Sequence, residues 1–147
     1  MIRVKVLLLI LIAFATESFA CDCGLMIMEE SYRKADFVIS GKVEYVKDKL
    51  NRNSRYMKID STYWERGGYH AVLKVDKVYK GHMLSDTIEI IPDWSNCDKY
   101  FKIGQTYVVF GYVDKESNYT TSNCSGTFSK EDMESKRVFE KLKKEKI

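Results

Sequence analysis

Four cysteines constrain the fold of this chain more than any other feature of its sequence. Cys21 and Cys23 are separated by one residue, whereas Cys97 and Cys124 lie far along the chain. An even number of cysteines in an exported chain indicates two disulfides, for which three pairings are possible. Because Cys21 and Cys23 are too close for an easy mutual bridge, we expect each to pair with Cys97 or Cys124. In the chain-entropy model each such loop contributes about 4 to 5 kcal/mol to the free energy of unfolding.

The segment before Cys21 has the parts of a secretory signal peptide. Two basic residues precede an almost unbroken apolar run, Val6 to Ala15, and Ser18-Phe19-Ala20 forms a small-x-small cleavage signature. This pattern predicts a signal peptide over residues 1–20 and cleavage after Ala20. Cys21 would then be the first residue of the mature protein, with a free α-amine.

The remaining chain, residues 21–147, is predicted to be one domain. No stretch approaches the ~18 to 20 apolar residues of a spanning helix, so we expect a secreted or periplasmic protein with no membrane span. The alternative is a lipid anchor on Cys21, but Ser18 stands where a lipoprotein signal favours leucine. The full sequence has a formal net charge of +3, and removal of residues 1–20 takes away two basic residues and one acidic residue, so the remaining charge argues against nucleic acid as a partner. We expect a monomer.

Catalytic motifs are scarce in this sequence. There is no Ser/His/Asp set, no phosphate-binding glycine loop and no paired-carboxylate motif, and the two histidines, His70 and His82, lack further ligands for an intrinsic zinc site. We therefore expect that the protein is not an enzyme and requires no cofactor.

A strand pattern dominates the middle of the chain. Over Phe37 to Val46, residues Phe37, Ile39, Gly41, Val43 and Tyr45 share one face at period two, with Ser40, Lys42 and Glu44 opposite, and Gly41 suggests a bend or bulge. Further strands are predicted at Tyr69 to Tyr79, Thr87 to Ile91, Tyr107 to Val113 and Tyr119 to Ser122. These strands favour a mostly-β fold, specifically a small closed five-stranded Greek-key barrel of the OB type, with a sandwich as the alternative.

Two helices flank the predicted strands. The first is short, Glu29 to Ala35. The second is predicted to begin at Ser129, with Asp132 as the reciprocal partner of a capping box, and to bury a stripe of four apolar residues. That stripe consists of Met133, Val138, Phe139 and Leu142.

Lys47 to Arg66 is predicted to be a long polar excursion between strands. It is rich in basic and aromatic residues, among them Tyr56, Tyr63 and Trp64. It is either a solvated hairpin extension or a surface that touches a partner, as loops on rigid scaffolds often do.

Six short motifs follow one another over most of residues 21–147. They are Cys21-x-Cys23, Ala35 to Val43, Val75-x-x-Val78-Tyr79-Lys80-Gly81, Cys97, Phe101-x-x-Gly104-Gln105-x-Tyr107-Val108-Val109-Phe110 and Cys124-Ser125-Gly126-Thr127. In this order they resemble the amino-terminal inhibitory domain of the tissue inhibitors of metalloproteinases, within the netrin-like modules. The resemblance implies an OB barrel with disulfides from Cys21 to Cys97 and from Cys23 to Cys124.

The resemblance also implies an activity, inhibition of zinc metalloendopeptidases. The α-amine and the carbonyl of Cys21 would chelate the catalytic zinc of the partner protease, at the position that such a zinc keeps open. The resemblance implies no metal contact other than this chelation by Cys21. The implied protease-binding ridge consists of Cys21, Asp22, Cys23, Gly24, Leu25, Trp94, Ser95, Asn96 and Cys97.

Two other interpretations of Cys21-x-Cys23 remain open. The pair could serve only as structural staples. The domain could then be a netrin-like module that recognises another extracellular protein or a polyanion. A redox-active dithiol would need an exposed thiol of low pKa, and nothing in the sequence around Cys21 indicates one.

Overall fold

The structure, a computed structural model, describes residues 21–24, 27–48, 66–82 and 85–146. The predicted signal peptide, Leu25 and most of the predicted excursion lie outside the described residues. The described part of the chain is mostly β, as predicted, with two α-helices and one 3-10 turn. The strands are β1 Phe37–Val46, β2 Gly67–Gly68, β3 Ala71–Lys80, β4 Thr87–Glu89, β5 Phe101–Lys102, β6 Thr106–Val113, β7 Tyr119–Thr120 and β8 Phe128–Ser129. The helices are α1 Met28–Lys34, α2 Met133–Lys146 and the 3-10 turn Asn123–Ser125.

The main sheet is antiparallel in the order β4-β3-β1-β6-β7, and β8 also pairs with β6. A second sheet contains β2 and β5. The predicted count of five strands was therefore wrong, because it omits β2, β5 and β8, each of which is two residues long. Among the described residues no hydrogen-bonded ladder closes the sheet. Its two outer strands meet through a single parallel bridge, Ile90 with Tyr119.

β1 is the central strand, and Phe37 to Gly41 are buried on both faces, whereas Lys42 and Glu44 are exposed as predicted. Phe37, Ile39 and Val43 belong to one apolar cluster, whereas Val38 belongs to a second cluster beneath the helices. Ser40, predicted on the polar face, is fully buried, and its hydroxyl has no hydrogen-bond partner among the described residues. A central strand covered on both faces loses the simple alternation on which that prediction relied.

The predicted irregularity at Gly41 is confirmed. The register between β1 and β3 shifts between Ser40 and Gly41, and a Cβ at Gly41 would lie 2.8 Å from the carbonyl oxygen of Lys74. Another register shift, between Val43 and Tyr45, ends the inward face early. Tyr45, predicted to face inward, is therefore exposed.

The predicted start of the second helix was wrong. Ser129 lies in β8, where it pairs with Tyr107, so it is not available as the cap. Asp132 caps α2 instead, accepting a hydrogen bond from the backbone N–H of Ser135 at 3.1 Å. The predicted apolar stripe is confirmed only in part, because Phe139 and Leu142 are buried while Met133 and Val138 are 66% and 48% exposed.

α1 covers the predicted segment to within one residue at each end and is fastened to β3. The Nζ atom of Lys80 donates to the backbone oxygens of Tyr32 and Arg33, at 2.9 Å each, and of Ala35 at 2.5 Å. A cation at the carboxyl end of a helix stabilises the unpaired carbonyls there. No helix in the described ranges is both long and apolar enough to cross a bilayer.

Candidate functional site

Two disulfides tie the amino-terminal segment to the sheet. Cys21 bonds to Cys97, with 5.1 Å between the Cα atoms, and Cys23 bonds to Cys124, with 4.9 Å between the Cα atoms. This is the pairing that the family resemblance implies. It decides between the alternatives that the spacing of the cysteines left open. No cysteine is free, so a redox-active dithiol is not present in this state.

The two anchor points are themselves joined by backbone contacts. Asp98 and Ser122 form an antiparallel bridge, and the backbone N–H of Asn123 donates to the carbonyl oxygen of Cys97 at 2.7 Å. The side-chain amide of Asn123 also donates to the carbonyl oxygen of Asp98, at 3.0 Å. The residues that receive both disulfides therefore form one braced platform, which we call the cysteine platform: residues 97–98 and 122–124.

Asp98 organises the turn that precedes the platform. Its carboxylate accepts hydrogen bonds from the backbone N–H groups of Asp93 at 3.2 Å and Ser95 at 2.9 Å. The side chain is only 6% exposed. Burial raises the pKa of Asp98, and these hydrogen bonds oppose that rise without cancelling it. The turn is therefore held by a buried hydrogen-bond acceptor, the carboxylate of Asp98.

Trp94 and its neighbours present the second half of the predicted ridge. Trp94 has a φ of 56° and is 46% exposed, and Ser95 and Asn96 are exposed beside it. A positive φ strains the backbone of a bulky residue, and this conformation persists only where the surrounding structure imposes it. The Cys21–Cys97 bond attaches this turn to the amino-terminal segment, so the structure brings these two parts of the predicted ridge together.

The exposed residue between the two cysteines is held by its own backbone. The carboxylate of Asp22 accepts a hydrogen bond from the backbone N–H of Gly24 at 3.0 Å, which makes an Asx turn. Gly24 has a φ of 57°, a conformation that glycine adopts without strain. Leu25, the remaining member of the predicted ridge, lies outside the described residues.

Behind the platform lies a group of buried hydroxyls that sequence reasoning missed. The Oγ1 atom of Thr121 lies 2.7 Å from the carbonyl oxygen of Phe110 and 2.8 Å from the hydroxyl oxygens of Ser125 and Thr127. Thr127 also accepts a hydrogen bond from the N–H of Phe110 at 2.9 Å. These contacts fix the segment around Cys124 to β6. Their sequence signal is weak, since hydroxyl residues spaced around a cysteine are typical of many loops.

A second polar cluster lies at the base of the predicted excursion. Glu89 contacts both Lys47 and the Nε2 atom of His70, and the hydrogen bond with Lys47 is the main cause that lowers the pKa of Glu89. Asp48 accepts from the backbone N–H groups of Tyr69 and His70. This cluster joins the ends of the excursion to β4 and contains none of the residues of the predicted ridge.

A scan against protein-family models gave no match for this chain, and a search of the curated proteins gave none either.

Proposed function

We propose that the mature protein is an exported inhibitor of zinc metalloendopeptidases. Its first residue would be Cys21, and the α-amine and carbonyl of that residue would chelate the zinc of the protease. The observation that carries the proposal is the double anchoring of residues 21–23 to the cysteine platform. A short exposed segment held by two covalent bonds is the geometry that a rigid metal-binding wedge requires.

The chemistry of such a wedge follows from the backbone of one residue. An α-amine and the carbonyl of the same residue form a five-membered chelate, and a catalytic zinc with three protein ligands keeps one position open. The amine must be neutral to donate its lone pair. This is accessible near neutral pH because an α-amino group titrates at about 7.7 to 8.0. A segment that is already rigid loses little conformational entropy when it binds.

The turn around Trp94 would extend the contact beyond the zinc. A rigid, half-exposed aromatic side chain is the kind of residue that concentrates binding energy in protein interfaces. Its attachment to Cys21 through the Cys97 disulfide would keep both contacts in fixed register.

We also propose that the main sheet approximates an OB-type barrel, closed at the Ile90–Tyr119 bridge rather than by a full ladder.

The test compares the mature protein starting at Cys21 with a variant that carries one additional alanine before Cys21. The additional residue converts the α-amine into an amide, which cannot donate to zinc. Inhibition across a panel of zinc endopeptidases should therefore fall by at least about a hundredfold, that is, by roughly 3 kcal/mol of binding free energy. The melting temperature should not change, because both disulfides remain. Inhibition that persists in the variant contradicts chelation.

Mass spectrometry of the exported protein tests the premise of this mechanism. An intact mass that matches residues 21–147 with two disulfides and an unmodified amine supports it. A lipid on Cys21, or cleavage at another position, leaves no free amine at the required place and contradicts it.

A second candidate function is a netrin-like interaction module in which Cys21 is only a staple. One observation favours it, the basic outer surface of α2, where the exposed side chains include Lys136, Arg137, Lys141 and Lys144. Binding to a polyanion through this surface would weaken steeply with salt and would survive acetylation of the α-amine. Inhibition through Cys21 would instead depend little on salt and would be lost on acetylation of the α-amine.

A further inference from the structure

The sulfur atoms of the two disulfides lie in contact with each other. The Sγ atom of Cys21 is 3.4 Å from that of Cys124 and 3.8 Å from that of Cys23, although its covalent partner is Cys97. The sulfurs of Cys21, Cys23 and Cys124 all lie within 4.8 Å of one another. The fourth sulfur, that of Cys97, is bonded to Cys21 and lies beside this group of three, outside the 4.8 Å limit.

We propose that the reduced chain binds one Zn²⁺ ion through the thiolates of Cys21, Cys23, Cys97 and Cys124. A tetrahedral zinc site with Zn–S distances of about 2.3 Å has sulfurs about 3.8 Å apart. The two measured distances between sulfurs of different disulfides, 3.4 and 3.8 Å, are already close to this value. The covalently bonded sulfurs must separate once their bonds are broken, and the sulfur of Cys97 must also move toward the other three.

Two of the four ligands are held by contacts other than their disulfides as well. The bridge between Asp98 and Ser122 and the contacts of Asn123 hold Cys97 and Cys124 side by side. The backbone N–H of Cys124 also donates to the hydroxyl of Ser122 at 3.2 Å. When ligands are held in place before the metal binds, binding does not have to overcome the entropy cost of ordering those residues.

The remaining two ligands come from one short segment, and solvent reaches the site. Cys21 and Cys23 are separated by a single residue, so they can approach one ion together. A hollow of about 170 Å³ borders Cys23 and Cys124 and is also lined by Ser31, Lys34 and Tyr112. This hollow gives an ion a path to the sulfurs. Glu30 also lines the hollow and forms an ion pair with Lys34, 2.7 Å between Oε1 and Nζ, so these two side chains together add no net charge beside the sulfurs.

The metal-bound and disulfide-bonded states exclude each other. Reduction supplies two electrons and two protons to each disulfide; with a phosphine as reductant, the phosphine becomes its oxide and water supplies the oxygen. Zinc then displaces the protons of the four thiols. A newly made chain already carries thiols and needs no reductant to bind zinc. A thiol oxidant takes the four electrons back, reforms both disulfides and expels the ion.

The experiment uses the mature chain, reduced with a phosphine without oxygen, and Co²⁺ as a spectroscopic probe. We expect one ion per chain, thiolate-to-cobalt charge-transfer bands in the near ultraviolet, the visible bands of tetrahedral cobalt, and loss of both when Zn²⁺ is added. Oxidised protein should bind none. Absent charge-transfer bands, or one ion shared by two chains, would overturn the site. No protease enters this assay, so its outcome is independent of the proposed inhibition.

Variants and alkylation identify the ligands. Cys97→Ser should weaken metal binding at least about tenfold, since even an outer-shell partner is typically worth that much. His82→Ala, at an exposed residue, is the matched control and should bind as the wild type does. If Cys97→Ser fails to fold, alkylation of the reduced wild type still decides. Zinc should protect all four cysteines from a thiol reagent, and rapid modification of any one of them in the zinc-bound chain would contradict a four-thiolate site.

Discussion

β1 and the segment from Cys21 to Cys23 are held in place by different forces. β1 lies between β3 and β6, and Val38, Ile39 and Val43 are fully buried, so hydrogen bonds and burial of apolar surface hold it. The amino-terminal segment forms no strand, exposes Asp22 and Gly24, and is joined to the domain by two disulfides. The apolar core can therefore be changed without removing the bonds that place the site, whereas loss of a disulfide should affect both the site and the stability of the fold.

Removal of one disulfide should have the largest effect on the free energy of unfolding. The paired substitutions Cys23→Ser and Cys124→Ser open a loop with a sequence separation of 101, and the chain-entropy model predicts a loss of about 4 to 5 kcal/mol. The matched pair, Cys21→Ser with Cys97→Ser, spans a separation of 76 and should differ from it by only about 0.3 kcal/mol. Urea unfolding measures both. A free energy equal to that of the wild type would mean that noncovalent contacts hold the segment.

A cavity in the core should weaken the fold and leave the site in place. Phe110 packs against the rings of Phe128 and Phe139, with centroids 6.5 and 5.8 Å away. Phe110→Ala should lower the free energy of unfolding by about 3 to 5 kcal/mol. Well below the melting temperature, the proposed inhibition should be unchanged, because the disulfides still place Cys21. Val138→Ala, at an exposed position of α2, is the control and should cost less than about 0.5 kcal/mol. Lost inhibition in folded Phe110→Ala would show that the core also positions the site.

The charge of Asp22 should oppose the proposed inhibition. Zinc endopeptidases carry a glutamate general base beside the metal, and like charges brought together at an interface are unfavourable. Asp22→Asn removes the charge and keeps an oxygen to accept the hydrogen bond from Gly24. We expect about tenfold tighter inhibition, or roughly 1.4 kcal/mol. Asp22→Ala, which removes both charge and acceptor, should gain less. Weaker inhibition by Asp22→Asn would mean that the carboxylate itself contacts the protease.

The smallest effect we predict is a difference in the pH dependence of stability between two aspartates. Burial raises the pKa of Asp98, so the folded state binds its proton more tightly, and the stability that protonation adds is lost as pH rises through the folded-state pKa. Hydrogen bonds from Ser135 lower the pKa of Asp132, so its contribution is present above the unfolded-state pKa and is lost as pH falls through the folded-state pKa.

The two asparagine variants separate these contributions. As pH rises, the free energy of unfolding of Asp98→Asn should increase relative to that of the wild type, whereas that of Asp132→Asn should decrease relative to it. Urea unfolding from about pH 3 to 6, the range in which carboxyl groups titrate, measures both differences. Differences of the same sign in the two variants would contradict the assigned environments.

The long elements of this fold could be predicted from the sequence, whereas of the five shortest strands only β4 and β7 were predicted. β1 was predicted with its correct bounds because ten residues carry enough periodicity, and Gly41 marked its bulge. β2, Gly67–Gly68, has no side chains to show a pattern and exists because β5 pairs with it. Ser129 has the sequence signal of a helix cap, but pairing with β6 takes it into the sheet. In each failure a long-range contact overrode a local preference.

Part of the candidate site could be predicted in the same way. Cys21-x-Cys23 and the resemblance to a known family indicated the disulfides and the turn at Trp94. The supports of that site, Asp98 and Asn123, were missed, because a polar residue next to a cysteine is common and acquires its role only when two distant segments meet. The burial of Asp98 is likewise a property of the assembled turn.

The order of the cysteines along the chain sets the order in which a ribosome delivers them. Cys21 and Cys23 emerge first, before Cys97 and then Cys124 have been made. In an oxidising compartment they therefore meet oxidants before either native partner exists. Because the Asp98–Ser122 bridge gathers the later pair without sulfur, the finished domain offers a template on which early, incorrect bonds can be exchanged. Maturation of this protein is consequently expected to depend on a disulfide isomerase more than on the speed of oxidation.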